Sequence, residues 1–240
     1  MKKNRASIVI PILNEAKNIE KLTNKIIKSL KGFKYEIIFV DDNSNDGSKE
    51  ILYRLKKKHT FFKPIIRNKP TRDLTRSCFE GIEKCKFNKI VIMDGDLQHD
   101  PIYIPKLFKK MKKNVNIVIG SRNFDTGKNP GLSWIRKQFS KIIILMFYFI
   151  SKKTKDPMSG FFIFDKNIYF KNKKNFYGKG FKILCDFIFN SKEDLNVVDV
   201  DIIFKRRLNN RSKMNLKILM ILILMYLKLF IKNFFTKTKI

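Results

Sequence analysis

Over the first half of the chain, short apolar runs alternate with segments whose apolar residues recur at helical spacing, and few folds satisfy that order. Ser7 to Leu13 is the first run and Tyr35 to Val40 (YEIIFV) the second. Pro64 to Arg67, Lys89 to Met93 (KIVIM) and Val115 to Ile119 follow. Between them, Ile19, Leu22, Ile26, Ile27 and Leu30 line one face of a helix that starts near Asn18 and stops at Gly32. Ser48 to Lys58, Thr75 to Lys86 and Pro101 to Lys113, the last entered by proline, predict three more helices. Strands separated by helices cannot be hairpin partners, so the order predicts an α/β fold. Its sheet is mostly parallel, with helices on both faces.

In such sheets ligands gather at the carboxyl edge of the strands. The polar clusters of the first half all fall there: Pro11 to Glu15 after the first strand, Asp41 and Asp42 after the second, Asp94, Asp96 and Gln98 after the fourth, and Gly120, Ser121 and Arg122 after the fifth. One site is expected to collect them. In MDGDLQHDP, the alternation of an extended strand end sends Asp94 and Asp96 the same way. Two like charges so placed repel unless a cation lies between them, and Mg²⁺ or Mn²⁺ favours a site with few carboxylates, completed by water and substrate phosphate. A solvated acidic turn is the plainer reading, and the strand-end setting favours the metal. His99 borders this cluster. Asp41 and Asp42 can accept hydrogen bonds from a base or ribose, while Asp46-Gly47-Ser48 reads as a turn and helix cap. The first strand is followed by PILNEAKN and not by a glycine-rich turn, which excludes a dinucleotide-binding fingerprint, and no GxxxxGK[ST] occurs.

Composition narrows the classes further. At 240 residues with 44% hydrophobic content the chain can bury a large core, so a disordered polymer is excluded. Its 52 Lys+Arg against 21 Asp+Glu give a formal charge of +31, which draws a protein toward polyanions. A genome rich in A and T writes the same Lys, Asn, Ile and Phe excess, so charge alone assigns no partner. A nucleic-acid-binding protein would explain the charge but not acidic clusters at successive strand ends, so no nucleic acid is expected. Cys78, Cys85 and Cys185 form no CxxC pair, and are expected to be buried thiols in a reducing compartment. Met1 to Arg5 leads into a short strand and not a sustained apolar run, so no cleaved leader is expected and the catalytic part is expected in the cytosol.

Seven segments in order resemble the motifs of glycosyltransferase family 2, most closely its dolichyl (polyprenyl) phosphate mannosyltransferases. They are IPILNEAKNIEKL, EIIFVDDNSNDGS, MDGDLQHDP, GSR at 120 to 122, DPMSGFF at 156 to 162, GFKILCDF at 180 to 187, and FKRRLNNRSKM at 204 to 214. The resemblance implies a GT-A (Rossmann-like) fold and inverting transfer of a hexose from a nucleotide-sugar donor, most closely mannose from GDP-mannose. The implied cofactor is Mg²⁺ or Mn²⁺ and the acceptor a polyprenyl phosphate. Glucosyl or amino-sugar transfer from a UDP-sugar, to the same lipid or to a soluble glycan, stays open. Carried over residue by residue, Pro11, Leu13, Glu15, Val40 and Asp42 line the nucleoside, with backbone contacts from Met93 and Gly95. Asp94, Asp96 and Gln98 hold metal and diphosphate. Arg122, Arg207 and Lys213 meet phosphate and sugar, so that Asp96, Arg122 and Arg207 carry the catalysis. Ser159 to Phe162 form an acceptor-sugar wall with Asp156 at the reaction centre. Leu13 stands where the family usually has Tyr, and Asn210-Arg211 where it has Gly-Glu. Asp186, on a helix of core residues, is either buried with a partner or solvent-facing.

The expected organisation is a catalytic domain over 1–213 and an apolar helix with a basic tail over 214–240. Ile142 to Ile150, nine apolar residues inside the stretch 131–153, is too short to span a bilayer and reads as an interfacial helix. Met214 to Phe235 is long enough to span, but Lys217, Lys228 and Lys232 share one face of its helical wheel, so it either lies on the membrane or crosses it with snorkelling lysines. The expected place is therefore the cytoplasmic face of a membrane, peripheral or anchored by the C-terminal helix, with a small membrane partner protein possible.

Overall fold

The computed structural model describes residues 4–69, 71–122, 153–180 and 182–205. The elements run β1 (Arg5–Ile12), α1 (Ala16–Ser29), β2 (Lys34–Asp41), α2 (Ser48–Lys58), β3 (Phe62–Ile66), α3 (Leu74–Glu83) and β4 (Lys89–Ile92). A 3-10 turn (Pro101–Tyr103), α4 (Ile104–Lys110), β5 (Ile117–Arg122), β6 (Phe162–Asp165), α5 (Lys166–Asn172), α6 (Ile183–Asn190) and β7 (Val197–Ile202) complete them. The seven described strands form one sheet in the order β3-β2-β1-β4-β6-β5-β7. The α/β alternation is as expected. β1 pairs in parallel with β2 and β4, and β5 with β7. β6 alone among the described strands runs antiparallel, between β4 and β5.

Strand pleating divides the apolar residues between two cores. On one face Ile8, Ile10, Ile37, Phe39 and Val91 pack under α1, α2 and α4, through Ile19, Leu22, Leu52, Ile104 and Leu107. On the other, Val9, Ile38, Val40, Ile92, Phe162 and Phe164 pack under α3, α5 and α6, through Cys78, Ile82, Ile168 and Phe187. Continuous apolar strands are what a sheet covered on both sides requires. All three cysteines are buried free thiols, as read from the sequence.

Several boundaries differ from the sequence reading. Gly120, Ser121 and Arg122 are the last residues of β5 and not a loop after it, because pairing with β7 extends the strand to Arg122 opposite Ile202. The helix expected from Pro101 to Lys113 begins as a 3-10 turn and ends at Lys110. β4 ends at Ile92, so Asp94 and Asp96 lie in a turn, with Leu97 at φ +64°, and pleat alternation does not set their directions. Ile142 to Ile150, Arg207, Lys213 and residues 214–240 lie outside the described residues.

α3 approaches the sheet closely at Gly81, where an added Cβ would stand 2.5 Å from Val9 Cγ1 and 3.0 Å from Val40 Cγ2. Both valines belong to central strands and cannot yield. Gly81→Ala is therefore expected to destabilise the fold by about 1–3 kcal/mol despite the better helix propensity of alanine. A urea midpoint at or above that of the parent would refute this account of the packing.

Candidate active site

Two loops on the β1 and β2 side are stapled to each other. Asn14, held at φ +55°, gives its backbone N–H to Ser44 Oγ at 2.7 Å, and its Oδ1 accepts from Asn45 N at 3.0 Å. Asp46 Oδ2 accepts from Ala16 N at 2.9 Å, so this carboxylate serves the first turn of α1. Its Oδ1 takes Ser48 N and Oγ, which bears out the turn; the N-cap of α2 is Gly47, at φ +86°, with no side-chain cap bond, so the cap half of that reading is corrected. Glu15 is buried and accepts from Asn18 Nδ2 at 2.7 Å. Pro11, Val40 and Met93 are buried, with the Val40 and Met93 side chains in the two cores, so these two have backbone alone to offer a ligand. Leu13 is partly exposed.

The two acids after β2 have separate tasks. Asp41 Oδ1 binds Ser44, while its Oδ2 is buried with no hydrogen-bond partner among the described residues; burial is the main reason its carboxyl is pushed up from the usual range. Asp42 is clamped by the buried Arg67 guanidinium and by Asp73 N, the latter at 2.6 Å. Arg67 in turn holds Glu80 at 2.8 Å and Ser77 at 3.1 Å. Sequence reading took Arg67 as the end of a strand and missed this role. No periodicity separates one buried arginine from the exposed ones around it.

The other half of the site lies where β4, β5 and β6 meet. Arg122 gives Nε and Nη2 to Asp156 at 2.7 Å each, and its backbone N–H at 3.1 Å. Asp156 is fully buried, and the Arg122 side chain is 9% exposed. Burial alone would lift the Asp156 carboxyl. The Arg122 charge and its hydrogen bonds outweigh that and hold it below the usual carboxylate range. Removing either partner of such a pair typically costs about 3–5 kcal/mol, because a buried charge is left uncompensated. Ser159 Oγ donates to Gly120 O at 2.7 Å and accepts from Phe161 N at 3.1 Å, which ties the loop before β6 to the end of β5.

That loop carries Gly160 against Asp94. A Cβ on Gly160 would stand 2.6 Å from Asp94 Oδ2 and 2.8 Å from Oδ1, so the missing side chain is what makes room for the carboxylate. The Asp94 side chain is 33% exposed, whereas Asp96 is buried and its Oδ1 accepts from Gln98 N at 3.1 Å. A Cβ on Gly95 would meet Ile12 Cγ2 at 2.5 Å, which packs this turn onto the end of β1. Gln98 gives its Nε2 to Lys205 O at 3.0 Å, and its own carbonyl oxygen accepts from Lys205 N at the same distance. It thus straps the chain leaving β7 to the acidic turn. His99 is buried with Nδ1 3.4 Å from Asp94 Oδ2, between the rings of Phe161 and Phe204. Burial is the main force pushing its pKa down to about 4, so the ring is neutral at physiological pH. Asp186, of the two options, is the buried one: it accepts from Tyr177 N at 2.8 Å and Gly178 N at 2.7 Å and fixes the loop before α6.

The arrangement brings Asp94, Asp96, Gln98, Arg122, Asp156 and Ser159 to one edge, with the stapled loops of Glu15 and Asp42 on its β1–β2 side. It offers a part-exposed carboxylate for a hard cation and an arginine held by an acid.

Comparison with known proteins gives the setting. The description "Glycosyl transferase family 2" matches residues 7–176. The chain is 35% identical over 213 residues to a dolichol-phosphate mannosyltransferase of Pyrococcus furiosus, covering 88% of this chain and 59% of that protein. It is 26% identical to the dolichol-phosphate mannosyltransferase of Mycosarcoma maydis, over 89% of this chain and 74% of that one. For the Saccharomyces cerevisiae protein of the same name the identity is 32%, over 76% of this chain and 69% of the relative. Among solved structures, glucosyl-3-phosphoglycerate synthase from Mycobacterium tuberculosis, in complex with Mn²⁺, UDP and its product, has a TM-score of 0.71 at 13% identity, over 96% of this chain and 80% of that one. The same synthase with Mn²⁺, UDP-glucose and phosphoglyceric acid also reaches 0.71, at 14% identity over 96% of this chain and 79% of that one. That likeness establishes a shared GT-A-like fold.

Gly160→Ala tests the seat of Asp94. Displacing the carboxylate should weaken Mn²⁺ binding by about 10- to 100-fold, the usual cost of disturbing what orients a metal ligand. Titration followed by Mn²⁺ electron paramagnetic resonance measures it, and an unchanged affinity would detach Gly160 from any metal-holding role.

Proposed function

Since the chain belongs to glycosyl transferase family 2, we propose that it transfers a hexose, mannose from GDP-mannose, to a polyprenyl phosphate. The observation that carries this reading is the meeting of the Asp94 turn with the loop before β6, where Gly160 backs the Asp94 carboxylate and Asp156 fixes Arg122 beside it. The names of the three relatives support mannose and a lipid phosphate acceptor. Mn²⁺ in the synthase structures supports a divalent cation, Mg²⁺ or Mn²⁺, beside the donor diphosphate.

The residues present fit such a cation. Asp94 and Asp96 are a carboxylate pair on one turn, and among the described residues no cluster of three His, Cys, Asp or Glu closes around them. A site with so few protein ligands suits an ion that keeps water and substrate phosphates in its shell. When bound, the cation offsets negative charge developing on the departing nucleoside diphosphate. Gln98 joins the two acids in the proposed metal set through its side-chain oxygen, since its Nε2 is engaged by Lys205 O.

The acceptor needs no strong base, because a phosphomonoester with a second pKa near about 6 is mostly a dianion at neutral pH. Its oxygen forms the bond to the sugar carbon as the bond from that carbon to the diphosphate oxygen breaks, from the opposite side. The electron pair leaves on the nucleoside diphosphate and no proton moves. Arg122, Arg207 and Lys213 are the proposed counter-charges. Pro11, Leu13, Glu15, Val40, Asp42, Met93 and Gly95 form the proposed nucleoside wall.

The test is a donor screen with the full chain, Mn²⁺ and a short polyprenyl phosphate against GDP-mannose, UDP-glucose and UDP-GlcNAc, reading glycolipid and free nucleoside diphosphate. Glycolipid from GDP-mannose, abolished by EDTA and restored by Mn²⁺ or Mg²⁺, is expected. Transfer from a UDP-sugar alone would replace mannose, and activity surviving exhaustive chelation would remove the metal.

The proposal places the enzyme at the cytoplasmic face of a membrane, through Ile142 to Ile150 and Met214 to Phe235, and the charge of +31 supports contact with anionic lipid. Sedimentation with anionic liposomes at low salt is expected, with high salt or alkaline carbonate releasing a substantial fraction. Complete resistance to carbonate would instead establish a spanning helix, and no binding at any salt would remove the lipid acceptor.

A further inference from the structure

Among the described residues, one cation at this edge has no acid of its own. Lys182, the residue before α6, donates Nζ to Met158 O at 3.1 Å, and among the described residues no carboxylate stands at ion-pair distance from it. Arg122 differs, since Asp156 takes both ends of its guanidinium. Around Lys182, Asp94 and Asp156 are within electrostatic reach, and so is Arg122; burial, followed by the Arg122 charge, pushes the ammonium below the usual lysine range. An ammonium has three N–H donors, and the Met158 carbonyl uses one. The residue is partly exposed, and the N–H donors beyond the one to Met158 O have no partner among the described residues.

Its ammonium contacts the β6 side of the edge, although the backbone two residues earlier, at Gly180, donates to Asp73 Oδ2 at 2.7 Å and so reaches the Asp42 clamp. Met158 belongs to the loop before β6, and β4 lies between that strand and the β1–β2 edge where the stapled loops stand. We propose that Lys182 binds the phosphate of the acceptor, donating to an oxygen that does not react; this rests on the transferase reading. The need for it follows from charge. The acceptor dianion must approach Asp94, Asp96 and a donor diphosphate, all negative, while among the described residues Arg122, one of the counter-charges proposed above, is already matched by Asp156. After transfer the acceptor phosphate is a diester with one negative charge fewer, so the same lysine holds the product less tightly than the substrate.

The experiment titrates farnesyl phosphate, with Mn²⁺ and without donor, into the full chain and its Lys182→Met, Lys182→Gln and Lys182→Arg variants, each checked for a cooperative melt. Loss of a charge-assisted hydrogen bond should weaken binding about 10- to 100-fold in the Met and Gln variants, with Arg restoring most of it. In turnover, KM for farnesyl phosphate should rise while the Kd for GDP stays at the parent value. Unchanged farnesyl phosphate affinity in a folded Met or Gln variant would overturn the proposal, and so would an equal loss of GDP affinity, which assigns the lysine to the donor. Lys182-dependent binding in a parent that transfers no sugar from any donor would sink the transferase reading and leave the phosphate contact standing.

Discussion

Because β6 runs against both of its neighbours, its beginning lies at the carboxyl edge of β4 and β5, where Phe162 stands opposite Ile92 and Ile119. Residues 156–161 are thereby forced into the space where β4 releases the acidic turn and β5 ends in Arg122. A parallel strand in the same slot would have delivered its far end there, and the DPMSGFF segment would have lain at the opposite edge of the sheet. The Arg122–Asp156 pair follows from this reversal. It joins the end of one strand to the approach of its antiparallel neighbour, and it is affordable because both charges find full partners. Gly160 depends on it too. The loop anchored by Asp156 and Ser159 runs so close to Asp94 that a single methyl group would collide with the carboxylate.

The parts of the fold legible in the sequence are those written in local periodicity. β1 to β4 and α1 to α3 are recovered within a few residues, since each needs no more than its own apolar pattern and a cap or breaker. β6 was not legible. Its four residues, FIFD, follow a Pro- and Gly-containing loop, and what makes them a strand is pairing with partners far away in sequence, Lys89 to Ile92 on one side and Ile117 to Ile119 on the other. The same nonlocality hid Arg67, Lys182 and the Gln98 strap, whose partners come from other elements. Motif order identified the acids at the strand ends, but the reason assigned to the Asp94–Asp96 pair was wrong in kind: a turn with Leu97 at positive φ positions them, and not the pleat of a continuing strand.

Charge is distributed across the edge in a way that separates holding from reacting. On the β1–β2 side, Asp42 is matched by Arg67, and Asp46 is spent on backbone and serine donors, so that side is shaped chiefly by hydrogen bonds already made. On the β4–β5 side, Arg122 and Asp156 cancel, and His99 is neutral through burial. Among the described residues, what remains there is the acidic turn and Lys182. Under the proposed reading, such a composition suits a cation at the turn and an anion at the lysine.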